Sequence, residues 1–227
     1  MALGILDLLA LQQGGVTGKA SSTYEPVDYP LDLPTVTGFR QFVTRQERAQ
    51  RTSQSPTSFQ SQIVQSSGER FIFEVTLPPM KRIKAAEWIG FLNLLDGKIG
   101  TFLLGDPLGR TPRGTPAGFP KVAAAGQTGK QLALYGANPN VTGWLKSGDW
   151  IQIGERAYMV NRDANSNSSG EVTLDIWPRL RESYDLDTAI VTANCRTLCR
   201  MREVSNDLFF VDETQFFSLS FIAEESL

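Results

Sequence analysis

The chain has 227 residues, long enough for one large domain or two small ones, and its 41% hydrophobic and 20% charged composition is ordinary for a globular protein. With 22 Lys+Arg against 24 Asp+Glu the net charge is -2, which gives no indication of a nucleic-acid or anionic-membrane partner. The absence of histidine excludes Ser/His and Cys/His catalytic arrangements and the commonest zinc ligand, so we favour a role other than catalysis.

Residues 1–35 are predicted to form an N-terminal arm. Within them, residues 3–11 (LGILDLLAL) match two or three helical turns, followed by a Gly-, Ser- and Pro-rich stretch without sustained periodicity. A helix this short is marginal in water, so it must dock, either on the core of its own domain or on a neighbouring subunit. It is far shorter than the ~20 residues of a membrane span, so no membrane insertion is expected.

The next segment is predicted to contain three strands. Residues 36–45 form the first, residues 46–58 a long polar loop, and residues 59–66 a second strand of alternating but weakly apolar residues. Ser67-Gly68 is interpreted as a turn into a half-buried strand at residues 70–77. Such polar, weakly apolar strands favour a position at a sheet edge or an interface.

A helix is predicted over residues 80–95, after the strand-ending Pro78-Pro79. Its apolar residues recur every three or four positions and form one broad stripe, which is expected to lie on the sheet. The stripe consists of Ala85, Trp88, Ile89, Leu92 and Leu95. Asp96-Gly97 ends the helix, with Gly97 in the left-handed conformation, and residues 99–104 return to extended chain.

The composition then changes at residues 107–120, where four prolines and three glycines indicate an exposed linker. Short strands follow at near-regular spacing, which is typical of a small antiparallel barrel or sandwich. They are predicted at residues 130–135, 149–153, 156–162 and 171–177. The strands expected at residues 189–193, 196–203 and 216–223 return to the first sheet.

The predicted fold is therefore mainly β with one α-helix, of the α+β class. An antiparallel sheet or sandwich domain packed by the helix comprises residues 36–119 with 182–227. It is interrupted by a small inserted β-barrel or β-sandwich at residues 120–181.

A search for catalytic and metal-binding signatures gives no candidate. Phosphate-binding, dinucleotide-binding, nucleophile-elbow and HExxH motifs are absent from the sequence. Six acids in and just after the inserted segment are available as glycosidase carboxylates or calcium ligands, but none has a partner fixed by spacing, so we interpret them as turn residues. They are Asp149, Glu155, Asp163, Asp175, Asp185 and Asp187. No catalytic residue, cofactor or metal ligand is predicted.

Three tryptophans of the inserted segment raise the possibility of sugar stacking. Trp150 and Trp177 lie in alternating strands, which favours packing in the core. Trp144, in VTGWLKSGD on a predicted loop, is the candidate for exposure and ligand contact.

The two cysteines, Cys195 and Cys199, lie in a predicted strand, where their Cα atoms would be ~13 Å apart and outside disulfide reach. Reduced, buried thiols are expected, which fits assembly in a reducing cytoplasm.

The layout resembles the distal tail (tail hub) proteins of long-tailed bacteriophages. The resemblance covers most of residues 35–227 and depends on three features: the FLLGD exit from the helix, the inserted pattern KSGDWIQIGERAYMV followed by EVTLDIWPRLR, and the C-terminal return to the sheet. Residues 1–35 have no counterpart in it.

This resemblance implies a structural protein of the virion, assembled in the host cytoplasm, that forms a ring of usually six copies. The ring would join tail tube protein to tail tip or baseplate hub proteins and surround a DNA channel without binding nucleic acid specifically. The inserted domain would project outward, where a receptor-binding protein or a host glycan is a possible partner. The alternatives are a carbohydrate-binding β module and a carboxylate-based hydrolase.

Overall fold

A computed structural model describes residues 26–202, the backbone of residues 210–211, and residues 216–227. In this part of the chain lie one helix, α1 (Arg82–Leu94), and thirteen strands. The strands are β1 (Gln41–Gln54), β2 (Ser61–Thr76), β3 (Thr101–Leu104), β4 (Gly118–Val122), β5 (Gln131–Ala137), β6 (Trp150–Ile153), β7 (Arg156–Val160), β8 (Val172–Trp177), β9 (Ile190–Val191), β10 (Thr197–Met201), β11 (Phe210–Val211), β12 (Phe217–Ser218) and β13 (Ser220–Glu225). The predicted fold class, mainly β with one helix, is confirmed.

The first unit is a five-stranded antiparallel sheet in the order β1-β2-β13-β10-β3, covered on one face by α1. The helix lies on the sheet through aromatic pairs: Trp88 is 6.1 Å from Phe221 and Phe91 is 5.5 Å from Phe102 between ring centroids. The prediction that the apolar stripe of the helix packs on the sheet is therefore confirmed. β11 and β12 pair separately as a two-stranded sheet.

The second unit is a six-stranded antiparallel sheet in the order β4-β5-β8-β7-β6-β9. It curls into a nearly closed barrel, because β4 approaches the chain before β9 through the Lys121–Ala189 bridge. The strand predicted at residues 189–193 was expected to join the first sheet, and this was wrong: β9 pairs with β6. With only two residues in the ladder, β9 is too short to show a periodicity in its sequence.

The largest departure from the sequence prediction is the hairpin of β1 and β2. Residues 46–58 were predicted to form a loop, but β1 extends through most of them, to Gln54. Ser67-Gly68 was predicted to be a turn, but β2 passes through it without interruption. The two strands stay paired from Gln41↔Thr76 to Gln54↔Ser61, with one register shift between Arg48 and Gln50.

The helix ends as expected, with Gly97 in the left-handed region at φ 69°. Asp96 also has a positive φ, 47°, which the sequence analysis did not predict. The leucine-rich residues 3–11 lie outside the described residues. From the predicted arm, residues 26–35 are described, and Leu31 bridges to Phe102 at the outer edge of β3.

Candidate functional site

The outer half of the β1–β2 hairpin is the most unusual surface of the molecule. We call residues 49–68 the outer hairpin. Nearly all its side chains are exposed on both faces, including Ile63 at 63% and its neighbour Val64, which point to opposite sides of the ladder. Because a two-stranded hairpin in water is marginally stable at best, an extension of this length gains little for the fold of the single chain.

The tip of the outer hairpin is held by local hydrogen bonds. The Ser55 amide donates to the Gln60 carbonyl at 2.9 Å, and the Phe59 amide donates to the Ser55 carbonyl at 3.0 Å. The Ser58 amide donates to Ser55 Oγ at 3.3 Å, and Gln54 Nε2 donates to the Phe59 carbonyl at 3.3 Å. Phe59 has φ 55° and its side chain is 74% exposed, so the turn presents an aromatic ring to solvent in a conformation that costs a bulky residue energy.

Charged groups fix the root of the hairpin to the sheet. Arg70 on β2 donates to Glu47 on β1 and pairs with Glu224 on β13 at 2.9 Å. Arg202 reaches Glu47 at 3.1 Å. The hydrogen bond from Arg70 is the main cause that lowers the pKa of Glu47, so the carboxylate is charged at neutral pH. These ion pairs link the root of the hairpin to β13 and to Arg202.

Two buried carboxylates join the sheet to the barrel. Glu69 on β2 accepts the Arg179 amide at 3.0 Å and pairs with Lys130 Nζ at 3.1 Å. Burial by itself would raise the pKa of Glu69, but these hydrogen bonds and charges outweigh it and hold the pKa below its ordinary value. Glu225 on β13 accepts Arg181 Nη2 at 3.1 Å and the Phe71 amide at 3.2 Å.

Aromatic packing reinforces this contact between the two units. Phe71 of the sheet lies 4.8 Å from Trp150 and 4.5 Å, edge to face, from Trp177 of the barrel, measured between ring centroids. Trp150 and Trp177 therefore lie in a buried cluster with the sheet residues, which confirms the prediction that both pack in a core. Buried carboxylates with their cationic partners and buried rings therefore join the sheet to the barrel.

A shallow groove lies beside α1, with a volume of about 370 Å³. One wall is α1 and the other is the segment that precedes β1. Its lining is mostly apolar with two carboxylates: Leu31, Asp32, Pro34, Glu87, Gly90, Phe91 and Leu94. The side chain of Asp32 pairs with Arg196 at 2.8 Å, whereas the carboxylate of Glu87 has no ion pair or hydrogen bond among the described residues.

Trp144 was predicted to be exposed, and this was wrong. Its side chain is 0% exposed and packs in the barrel core, and its Nε1 donates to the Ala117 carbonyl at 3.0 Å. The partner lies 27 positions earlier in the chain, so a long-range contact of this kind leaves no local signal in the sequence. A ring without an exposed face offers no stacking surface, and the site residue proposed for glycan binding loses its support.

The six acids considered as glycosidase carboxylates or calcium ligands have local structural partners. Asp149 is buried and accepts the amides of Arg113, Gly114 and Lys146, so it holds two loops together. Asp163 accepts the Ser147 amide at 2.8 Å. Asp175 accepts Asn161 Nδ2, and Asp187 accepts the Tyr135 hydroxyl. For Asp185 and Glu155 the described contacts are made by the backbone carbonyls.

Groups of three or more potential metal ligands do not occur among the residues that the structure describes. Within the same residues, no helix is long and apolar enough to cross a bilayer.

Cys195 and Cys199 are free and buried, as predicted. Burial raises the pKa of Cys195 to about 12 and that of Cys199 well above its ordinary value, so both are protonated and unreactive in the folded chain.

No family model matches the chain, and no curated protein matches it. Its function is therefore inferred from the surfaces described above.

Sequence analysis missed the outer hairpin, the two buried carboxylates and the groove. A signal for Glu69 was present, since a carboxylate next to a buried strand calls for a cationic partner. The signal for the groove was Gly90, a glycine in the middle of an otherwise helical pattern.

Proposed function

We propose that this chain is a ring-forming structural protein of a bacteriophage tail, a distal tail or baseplate hub subunit that joins the tail tube to the tail tip. The outer hairpin is the observation that carries the proposal. It is long and rigidly rooted, and it exposes apolar side chains on both faces, which a solitary soluble domain has no reason to build. A surface of this kind gains its stabilisation when another chain covers it.

The outer hairpin supports a ring more than a symmetric dimer. It leaves the sheet at one edge, through β1, while the groove lies beside α1, which covers one face of the sheet. Two different surfaces on one subunit favour head-to-tail contacts, and such contacts close into a ring when the rotation per subunit divides a full turn. The hydrogen bonds and ion pairs of Glu69 and Glu225 between sheet and barrel suit this role, because a fixed rotation requires a defined subunit shape.

The remaining parts of the proposal come from the resemblance in sequence layout. They are the DNA channel, the neighbouring tail tube and tail tip proteins, the location in the virion and the copy number of about six. The net charge of -2 is compatible with a channel that passes DNA without gripping its phosphates.

The proposal is tested by measuring the mass of purified protein by mass photometry over a concentration series and by imaging the particles in negative stain. We expect closed rings of about six subunits that become more abundant with concentration. A matched variant replaces residues 49–68 by Asn-Gly, which joins Arg48 to Glu69 through a two-residue hairpin turn. It should retain the circular dichroism spectrum of the fold and remain monomeric. Wild-type protein that stays monomeric at its highest soluble concentration overturns the proposal.

A further inference from the structure

We infer that the hairpin tip of one copy, led by Phe59, docks in the groove beside α1 of the next copy. This inference deepens the proposed function and rests on it, since it names the two surfaces that meet in the ring. It commits to a second copy of this chain as the occupant of the groove.

Helix α1 exposes apolar side chains on a second face. The helix buries Ala85, Trp88 and Phe91 against the sheet. On the other side, positions 83, 87, 90 and 94 are spaced by four, three and four residues and therefore share one face. Ile83 on this face is 83% exposed and Leu94 is half exposed. The stripe runs directly into the groove, so the helix is built to pack on two partners.

Gly90 also indicates that another molecule approaches the helix. A glycine inside a helix costs roughly 0.5–1 kcal/mol relative to alanine. A Cβ placed on Gly90 would meet no other atom within 4 Å, so nothing in the described chain requires its small size. A glycine at this place is explained by a neighbouring molecule that approaches the helix backbone closely.

The outer hairpin and the groove match each other in chemistry. The outer hairpin carries a single charged residue, Arg51, and the exposed Phe59 at its tip. The groove carries apolar residues around Phe91 and Leu94 and the unpaired carboxylate of Glu87. The guanidinium group of Arg51 likewise has no ion pair or hydrogen bond within the described residues. An aromatic anchor in an apolar groove with one opposite charge beside it is a common form of interface hot spot.

The spacing of these groups agrees with the match. Arg51 lies three residues before the end of β1, about 10 Å along the strand from the point where the turn that carries Phe59 begins. Glu87 and Leu94 are seven residues apart on the helix, also about 10 Å. With Phe59 near Leu94 and the hairpin lying along the helix toward Glu87, Arg51 comes within reach of the Glu87 carboxylate.

The occupant comes from another copy because the chain's own tip does not fill the groove. Phe59 is exposed in the folded chain, and the ladder from Glu69 to Ser61 carries the tip roughly 25–30 Å from the root of the hairpin. Hairpin and groove are different surfaces, so each subunit gives one contact and receives one.

Cross-linking tests the pairing directly. The variant Gln60→Cys/Asn93→Cys is treated with a short bismaleimide, and the products are separated by mass. It places the thiols beside Phe59 and beside Leu94, so both the anchor and Gly90 are kept. The native thiols do not interfere because Cys195 and Cys199 are buried. Covalent dimers and higher multimers are expected from the double variant, and monomers from each single variant. The matched control is Leu108→Cys/Asn93→Cys, which places the first thiol on an exposed leucine outside the hairpin. Equal multimer yields in control and test overturn the inference.

Substitution of the two surfaces gives a second readout. Phe59→Ala should weaken assembly about 30-fold or more, as expected for a hot-spot anchor, whereas Leu108→Ala should leave it unchanged. Gly90→Trp should abolish assembly by filling the groove, while Leu108→Trp, at an exposed position outside both surfaces, should not. Arg51→Glu and Glu87→Arg should each weaken assembly several-fold and restore it together.

An unbiased label identifies any other occupant. A benzophenone attached at Asn93→Cys, an exposed position beside Leu94 that does not line the groove, is photolysed in a mixture of light and heavy isotope-labelled protein, and the cross-linked peptides are sequenced by mass spectrometry. Peptides from residues 49–68 that join light to heavy chains support the inference. Capture of residues 3–11, or of any segment of the same chain, overturns it.

Failure of the inference and failure of the proposed function give different results. Rings that form without cross-links between positions 60 and 93 overturn the docking inference and leave the ring proposal intact. Cross-linked open chains or dimers without closed rings support the docking contact and overturn the ring.

Discussion

The two halves of β2 both pair with β1, on either side of a register shift, but differ in their surroundings. The inner half, residues 69–76, also pairs with β13 through residues 72–76 and buries Phe71, Phe73 and Val75 in the aromatic cluster. Residues 61–68 pair with β1 alone and expose every side chain. The inner half therefore stabilises the fold of the single chain, and the outer half contributes a surface.

This contrast separates two uses of the same secondary structure. Buried apolar area stabilises at roughly 25 cal/mol per Å², so the inner half brings several kcal/mol to folding. The outer half buries little apolar area and so contributes almost nothing to folding. Its hydrogen bonds replace equivalent bonds to water. Any change that lowers the free energy of unfolding should therefore lie inward of Glu69, and any change that affects assembly alone should lie outward of it.

The largest expected effect is that of truncating a ring in the inner half. Phe71→Ala should lower the free energy of unfolding by about 3–5 kcal/mol, because Phe71 is fully buried between Phe73 and the two barrel tryptophans. Ile63→Ala in the outer half should change it by less than about 0.5 kcal/mol. Urea denaturation followed by circular dichroism measures both. Comparable losses in the two variants would mean that the outer hairpin packs on its own chain.

A smaller loss is expected from the carboxylate at the boundary between the halves. Glu69→Gln removes the charge that pairs with Lys130 and Arg179, and should cost about 2–3 kcal/mol. The cost stays below that of a fully buried pair because both cations are more than one-third exposed. Glu74→Gln on the same strand is the matched control, since its partner Arg45 is 60% exposed, and it should cost less than about 1 kcal/mol.

The Glu69 contribution should depend on pH in a defined direction. Its pKa is lower in the folded chain than the ordinary value of 4.5, so the stabilisation is complete above pH 4.5 and is lost as the pH falls through the folded pKa. The difference in unfolding free energy between wild type and Glu69→Gln should shrink below pH 4.5. A difference that stays constant down to pH 3 would show that the carboxylate acts through shape and not through charge.

The same comparison explains which elements the sequence predicted. The inner half of β2 and helix α1 were predicted because one face of each is buried, which imposes a period of two or of three to four on the apolar residues. The outer hairpin is exposed on both faces, so Gln, Ser and Thr occupy it without any period. It was interpreted as a loop, and Ser67-Gly68 as a turn, because local composition was the only signal left.

Contacts over long sequence distances were the other source of error. Trp144 appeared exposed because its neighbours are turn residues, yet it lies in the barrel core and bonds to Ala117. β9 appeared to belong to the first sheet, yet it completes the barrel beside β6. The groove is formed by residues about 55 positions apart, around Leu31 and Glu87, and no local pattern predicts such a meeting.

Trp144 extends the comparison to the barrel, where a residue predicted at the surface has a structural role. Trp144→Phe should lower the free energy of unfolding by about 1–2 kcal/mol, through the lost hydrogen bond to Ala117 and the smaller ring. The tryptophan emission of the wild type should not respond to added sugars, because the ring has no exposed face. A saturable change in emission that disappears in Trp144→Phe would restore the glycan-binding alternative.

The smallest expected effect is a gain in stability. Gly90→Ala should raise the free energy of unfolding of the monomer by about 0.5–1 kcal/mol, because alanine favours the helix and its Cβ meets no neighbour. Thermal unfolding of dilute, monomeric protein measures the gain, with Ala86→Gly as the matched loss on the same helix. If Gly90→Ala destabilises the monomer, the helix needs the glycine for its own packing, and Gly90 ceases to indicate a partner in the groove. If it stabilises the monomer, the sequence retains a residue that the isolated fold would be better without. The advantage of glycine then lies in the assembled state, where the backbone of α1 meets another chain.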